Sequence, residues 1–372
     1  MAGEAVALNW IPFEIHSGAS GRAFELHRRL QGEFDLTAFV TGAFPSDYRR
    51  ELTSVHFVEV ASRRTPRIRI LEGSALWWRG LIGADCSLWA TDTLPVVRLR
   101  GAASLLTVHD LRHTADRSFS SARRRLLMGL AMRHSISRAD AVVSVSECGA
   151  RSLVDYARIC DDRVVVIPNA PGSLPAPVPA AGDRGMRPFI LAVGHLEPRK
   201  NLDCLLRAFS RISSTWPGSL VLAGSDQGMG ALLADEAARL GLADRVRILG
   251  SIPSDRLADL YASCELLVCP SLYEGFGMTV LEGMAAGRPV VASAIPPHIE
   301  VAGNAALLAG IGKGMEDGLA EAILAVLEDT ALRESLIAKG IERAAAFSWD
   351  RSAGLLRDLY TRLMEDSGMR CR

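Results

Sequence analysis

The sequence predicts an α/β protein built from two doubly wound, Rossmann-like domains that face each other across a cleft. Three observations carry this expectation. The chain has 372 residues, too many for one hydrophobic core. Short apolar strands alternate with helical segments in two separate series, the pattern of parallel sheets covered by helices on both faces. Between the two series lies a proline-rich stretch that holds neither a helix nor a central strand.

The first domain is expected over residues 1–170. Ala5–Leu8, Leu36–Val40, Val55–Val60, Ser104–Val108, Ala141–Val145 and Val164–Ile167 read as strands. A polar, glycine-bearing loop, His16-Ser17-Gly18-Ala19-Ser20-Gly21-Arg22, leads into a helix from Ala23 to Leu30, and Arg123–Ser137 reads as another helix. Residues 171–187, which open Pro-Gly-Ser-Leu-Pro-Ala-Pro-Val-Pro, are the linker. The second domain, 188–348, starts with strand Phe189–Val193. Strands Leu220–Ala223, Arg245–Leu249, 266–269 and Val290–Ser293 follow, with helices at 201–213, 229–240, 254–262 and 278–286 between them. Residues 349–372 carry a long amphipathic helix over Trp349–Met364.

Composition narrows the function. The chain is 49% apolar and 23% charged with a formal net charge of zero, so nothing global demands nucleic acid. Seven scattered cysteines include no C-x2-C pair, which fits a reducing cytoplasm and no zinc site. The first ten residues have neither a basic nor a long apolar region, and no run approaches the ~20 apolar residues of a spanning helix. A cytoplasmic protein, peripheral to a membrane at most, is expected.

The most specific segment is Pro270-Ser271-Leu272-Tyr273-Glu274-Gly275-Phe276-Gly277-Met278-Thr279-Val280-Leu281-Glu282. Two carboxylates eight residues apart bracket a Gly-Phe-Gly turn, with Glu274 in a loop and Glu282 one turn into a helix. The free N–H groups at that helix start form an anion site beyond the strand end. The segment Val193-Gly194-His195-Leu196-Glu197-Pro198-Arg199-Lys200-Asn201-Leu202 follows the first strand of the same domain. Arg199 and Lys200 stand there as cations able to stabilise a developing phosphate charge without a metal.

Together these segments resemble retaining glycosyltransferase family 4, the glycosyl transferases group 1, of the GT-B fold. The resemblance implies a nucleotide sugar as substrate and no cofactor; no D-x-D-like motif stands at a strand end, so metal independence is expected. The resemblance also implies that Glu274 holds the sugar hydroxyls and that Glu282 accepts from the ribose. Gly194, Gly224, Gly275, Phe276, Gly277, Met278 and Thr279 then line the nucleotide-sugar site, with Arg199 and Lys200 on the phosphates. The family's common form has arginine directly after the first glycine. Here His195 holds that position, and Arg199 is expected to supply the second cation. In this fold the last helix crosses back to the first domain, where Trp349 and Tyr360 would pack.

On the acceptor side, Thr107-Val108-His109-Asp110 ends a strand. The family places a histidine there against the donor sugar, and Asp110 is expected to orient His109 or bind an acceptor hydroxyl. His16, Gly18 and Gly21 resemble the family's N-terminal glycine loop. Residues 49–138 hold 16 arginines against seven acids, a net +9, with Trp77, Trp78 and Trp89 in the same region. A basic, aromatic face of this kind fits an anionic bilayer or an acceptor pyrophosphate; the alternative is a solvated basic face with the tryptophans in the core. The Glu-Pro-Arg-Lys-Asn form with His-Asp resembles bacterial mannosyltransferases of polysaccharide assembly. GDP-mannose is therefore the first donor expected, UDP-hexoses the next, and a glycan, lipid-linked or small-molecule hydroxyl the acceptor. The rival readings are another GT-B enzyme, such as a nucleotide-sugar epimerase, and a non-catalytic nucleotide-binding module.

Overall fold

A computed structural model describes residues 5–14, 17–61, 74–82, 86–92, 96–112, 122–172 and 188–370. His16 and most of the 171–187 stretch lie outside the described residues. Contacts divide the chain into two compact units. One comprises Met1–Asn169 with Ser348–Arg372, the other Ala170–Phe347.

The N-terminal unit holds a seven-stranded sheet. Its strands are β1 (Ala5–Asn9), β2 (Asp35–Thr41), β3 (Val55–Val60), β4 (Leu88–Thr91), β5 (Ala103–Val108), β6 (Ala141–Ser144) and β7 (Val164–Val166). They lie in the order β3-β2-β1-β4-β5-β6-β7, every pair parallel. The C-terminal unit repeats the plan with β8 (Phe189–Val193), β9 (Ser219–Ala223), β10 (Val246–Ile248), β11 (Leu266–Cys269), β12 (Val290–Ser293) and β13 (Leu307–Ala309), in the order β10-β9-β8-β11-β12-β13. The order reverses between β1 and β4 in one sheet and between β8 and β11 in the other. An open α/β sheet makes its ligand crevice at the carboxyl ends of the strands flanking such a reversal.

Burial explains why these runs are strands. Ile190, Leu191, Leu220, Val221, Leu222, Leu266 and Leu267 are each fully buried, so both faces of the second sheet are covered by helices. Helix Leu202–Ile212 presents Leu202, Leu205, Leu206, Phe209 and Ile212 to that core, a 3.6-residue period. In the N-terminal unit, helix Trp349–Arg370 packs on helix Gly18–Leu30. His27 Nδ1 lies 2.8 Å from the Ala23 carbonyl, which only accepts, so Nδ1 donates. Nε2 then accepts from the Tyr360 hydroxyl at 2.9 Å. Burial holds the His27 pKa down at about 4, which keeps the ring neutral and the pair intact.

One expectation is corrected. Gly18 and Gly21 do not stand in a loop; the helix begins at Gly18. Ser17 caps it, with Ser20 N–H donating to Ser17 Oγ and Ser17 N–H to Ser20 Oγ. This reciprocal box makes the small polar run helical where its glycines suggested a turn. Of the two readings of the tryptophans, the core placement holds: Trp78 and Trp89 are fully buried in a core with Phe39, and Trp77 packs against it.

Candidate functional site

At the β8/β11 reversal two loops meet, residues 194–201 after β8 and 270–277 after β11. They are sewn together by backbone and side chain. Leu272 N–H donates to the Arg199 carbonyl at 2.8 Å, and Asn201 Nδ2 donates to the Pro270 carbonyl at 3.2 Å. Arg199 Nη1 reaches the Tyr273 carbonyl at 3.1 Å. The approach of the β8 and β9 loops is close enough to require glycine. A Cβ on Gly224 would stand 1.9 Å from the Gly194 carbonyl oxygen. One on Gly194 would stand 2.8 Å from Lys200 Cε, so the lysine stem crosses the bare backbone there.

Glu274 is the centre of the site. Lys200 Nζ donates to its Oε1 at 2.7 Å and Arg199 Nη1 to its Oε2 at 2.8 Å. Ser271 Oγ adds a third bond, to Oε1, at 2.8 Å. The three charged side chains are only 12–15% exposed. Burial alone would raise the Glu274 pKa; Lys200 and Arg199 outweigh it and bring it down to about 2. Arg199 Nε also stands 2.8 Å from Glu197 Oε1. His195 turns aside to pair with Ser225 Oγ, so the second cation on Glu274 is Arg199.

Helix Met278–Ala285 starts immediately beyond. Gly277 is its N-cap at φ +105° and no side chain caps it, which leaves its first N–H groups for an anion. His298 packs behind that turn. Its Nδ1 lies 3.0 Å from the Ser293 carbonyl, and burial lowers its pKa to about 4, so it is a neutral group. Ser293 Oγ in turn donates to the Ser271 carbonyl. His298, Ser293 and Ser271 thus form a buried support under Glu274 that the motif did not announce. Glu282 is half-buried one turn into the helix. Burial raises its pKa, and its Oε2 accepts from the Tyr261 hydroxyl at 2.8 Å. Among the described residues no group of three His, Cys, Asp or Glu side chains is disposed to hold a metal ion.

In the N-terminal unit the β1/β4 reversal carries a second polar cluster. His109, at the end of β5, faces Asp92 at the end of β4, with Nε2 3.7 Å from Oδ1. Asp92, not Asp110, is therefore the carboxylate beside His109. The Asp110 carboxylate accepts from the Arg112 N–H at 3.0 Å and serves its own loop. Burial would raise the Asp92 pKa, yet His109, Thr107 and Arg22 together lower it. Arg22 is 4% exposed and donates to Asn169 Oδ1 at 2.8 Å and to the Pro168 carbonyl at 3.2 Å. β4 is four residues long and absent from the sequence reading, so Asp92 had no strand end to mark it.

The model described as glycosyl transferases group 1 matches residues 179–343, and that described as Glycosyltransferase Family 4 matches residues 16–170. Similar proteins include the O-antigen chain mannosyltransferase B of Escherichia coli, 29% identical over 66% of this chain and 67% of that one. The D-inositol 3-phosphate glycosyltransferase of Thermobispora bispora is 33% identical over 61% of this chain, and the match spans 57% of that protein. Only 30% of the serotype-specific mannosyltransferase WbdA of Escherichia coli is spanned, at 30% identity. Among solved structures, sucrose-phosphate synthase from Thermosynechococcus elongatus superposes with a TM-score of 0.77 at 21% identity, covering 98% of this chain and all of that one. Anabaena HepE, solved with UDP and glucose, gives 0.75 at 18%, covering 96% and 100%. At these identities the structural likeness is one of fold. With both units matched, one by each model, the chain belongs to the family 4, group 1 glycosyltransferases and has their GT-B fold.

Proposed function

We propose that the protein moves a hexose from a nucleotide sugar to a hydroxyl of a glycan acceptor, with retention at the anomeric carbon and without a metal ion. GDP-mannose is the first donor and UDP-hexoses the next. The mannosyltransferase names of the Escherichia coli relatives support this order. A lipid-linked glycan is the first acceptor class and a small molecule the next. The reaction is assigned to the cytoplasm, at the inner face of the cell membrane; the free thiols of the described cysteines fit a reducing compartment.

One observation carries the reading: Arg199 and Lys200 converge on Glu274 beside an uncapped helix start at the β8/β11 reversal. A diphosphate brought to this point meets two fixed cations and a set of amide N–H groups. As the glycosidic bond breaks, its leaving oxygen gains charge, and preorganised cations stabilise that charge without reorganising. Glu274, with its pKa held near 2, stays ionised wherever the reaction runs. It accepts hydrogen bonds from sugar hydroxyls and is not needed as a nucleophile. The acceptor attacks from the leaving-group face, and the departing phosphate takes its proton. Glu282 receives one hydrogen bond from Tyr261 and keeps its other oxygen for a ribose hydroxyl. His109, beside Asp92, is assigned to stabilising the positive charge that develops on the sugar.

A panel of nucleotide sugars tests this. One donor should release free sugar slowly in the absence of acceptor, undiminished by EDTA. NMR of the transferred product should show the donor's anomeric configuration. An inverted product, or tight nucleotide binding with no release from any donor, refutes the proposal.

A further inference from the structure

Helix Ala122–Arg138 packs against the first sheet. Its inner face is ordinary: Met132 and Ile136 are buried with Leu106, Val108 and Val142, and Tyr156 hydroxyl donates to the Gly129 carbonyl at 2.8 Å. The outer face is not. Arg123, Leu126, Leu127, Leu130, His134 and Ser137 follow the 3, 4 and 7 spacing of a single stripe, and all six are exposed. Leu126 is 64% exposed, Leu127 and Leu130 57% each, and Met128 beside them 40%. The other exposed large apolar side chains among the described residues are scattered singly, which needs no explanation. Three leucines on one solvent-facing stripe do need one.

Charge identifies the occupant. The helix carries five arginines and no acidic residue, within a region of net +9. A second copy meeting this face by two-fold symmetry would set arginine against arginine. Leucines at the centre of a cationic helix face instead match an interface that is apolar below and negatively charged above. We propose that this face docks on an anionic lipid bilayer, with Leu126, Leu127 and Leu130 entering the acyl boundary and Arg123 meeting headgroups. The chain leaves this helix at the amino edge of the sheet, where Asp140 N–H donates to the Ser104 carbonyl at 2.8 Å, so the helix start points toward the carboxyl edge that carries His109 and docking presents that edge to the membrane. The inference rests on the lipid-linked acceptor proposed above.

Co-sedimentation of the full chain with vesicles tests it. Binding is expected to phosphatidylcholine vesicles containing phosphatidylglycerol and to be weak with phosphatidylcholine alone. The Leu126→Ser, Leu130→Ser double variant should lower the partition constant by about tenfold or more, and Arg123→Glu should weaken binding to the anionic vesicles only. Donor hydrolysis in solution should stay at the wild-type rate in each, which shows the fold intact. Absence of vesicle binding by the wild-type chain overturns the proposal, as does binding unchanged in the double variant. So does a wild-type dimer that the leucine substitutions dissociate, since the face would then join copies. Vesicle binding without hydrolysis of any donor would leave the docking standing and refute the glycosyl transfer reading alone.

Discussion

Replacing Glu274 by glutamine keeps the shape of the side chain and removes its charge. A carboxyl whose ordinary pKa is 4.5 and whose folded pKa is about 2 favours the ionised form by about 3 kcal/mol more than it does in the unfolded chain. The folded value is the depressed one, so this stabilisation is fully present above the unfolded value and is lost as pH falls through the folded one. Glu274→Gln should therefore destabilise the C-terminal unit by about 3 kcal/mol at pH 7. For a unit of about 180 residues this corresponds to a fall in Tm of roughly 6–12 °C. The gap between the two proteins should be constant from pH 7 to pH 5 and close progressively towards pH 2. Calorimetry across that range reads both effects. The same variant should lose turnover on any donor, yet bind nucleoside diphosphate at least as tightly as the wild type. Arg199 and Lys200 lose the carboxylate that now neutralises them, and a diphosphate can take its place. A glutamine variant as stable as the wild type at pH 7 would refute the electrostatic argument. A variant with weaker diphosphate affinity would refute the assignment of the two cations to the phosphates.

Three further outcomes separate the remaining roles. Glu282→Gln should raise the donor KM by about tenfold and leave kcat within about twofold, because a ribose contact is made equally in the ground and transition states; steady-state kinetics that put the loss in kcat would reject the role. Gly224→Ala should cost the C-terminal unit more than about 3 kcal/mol, since its Cβ would meet the Gly194 carbonyl 1.9 Å away, and a wild-type melting profile would contradict the close approach of the two loops. Asp92→Asn should lower kcat far more than Asp110→Asn, because Asp92 faces His109 and Asp110 caps its own loop; parallel assays giving equal losses would remove Asp92 from the site.

How far the sequence reveals the molecule depends on the physical scale of each signal. The strands at Phe189–Val193 and Leu266–Cys269 are uninterrupted apolar runs because both faces of their sheet are covered, and such runs are visible without any partner. β4 has only four residues, and of its two sheet partners, β1 and β5, the first is remote in sequence. Nothing local distinguishes Leu-Trp-Ala-Thr from part of a loop, and Asp92 went unseen with it. At the site, local motifs named Glu274, Arg199 and Lys200 separately. Their meeting required the strand order β8-β11, which brings residues more than 70 positions apart into hydrogen-bond reach.

The supporting layer was hidden for a different reason. Ser271, Ser293 and His298 are unremarkable as residue types, and only burial gives them meaning. A buried serine must place its hydroxyl on some partner, and here the partners form a chain that ends on the Glu274 carboxylate. The helix Ala122–Arg138 shows the converse. Nothing in the sequence marks its leucines as surface residues, since apolar residues on a helix are usually buried. The fold turns Met132 and Ile136 inward instead, and one helix has only one inward face. The leucines left outside therefore report a surface that the packing of this unit does not use. A signal of that kind exists only as the difference between what the sequence offers for burial and what the fold accepts.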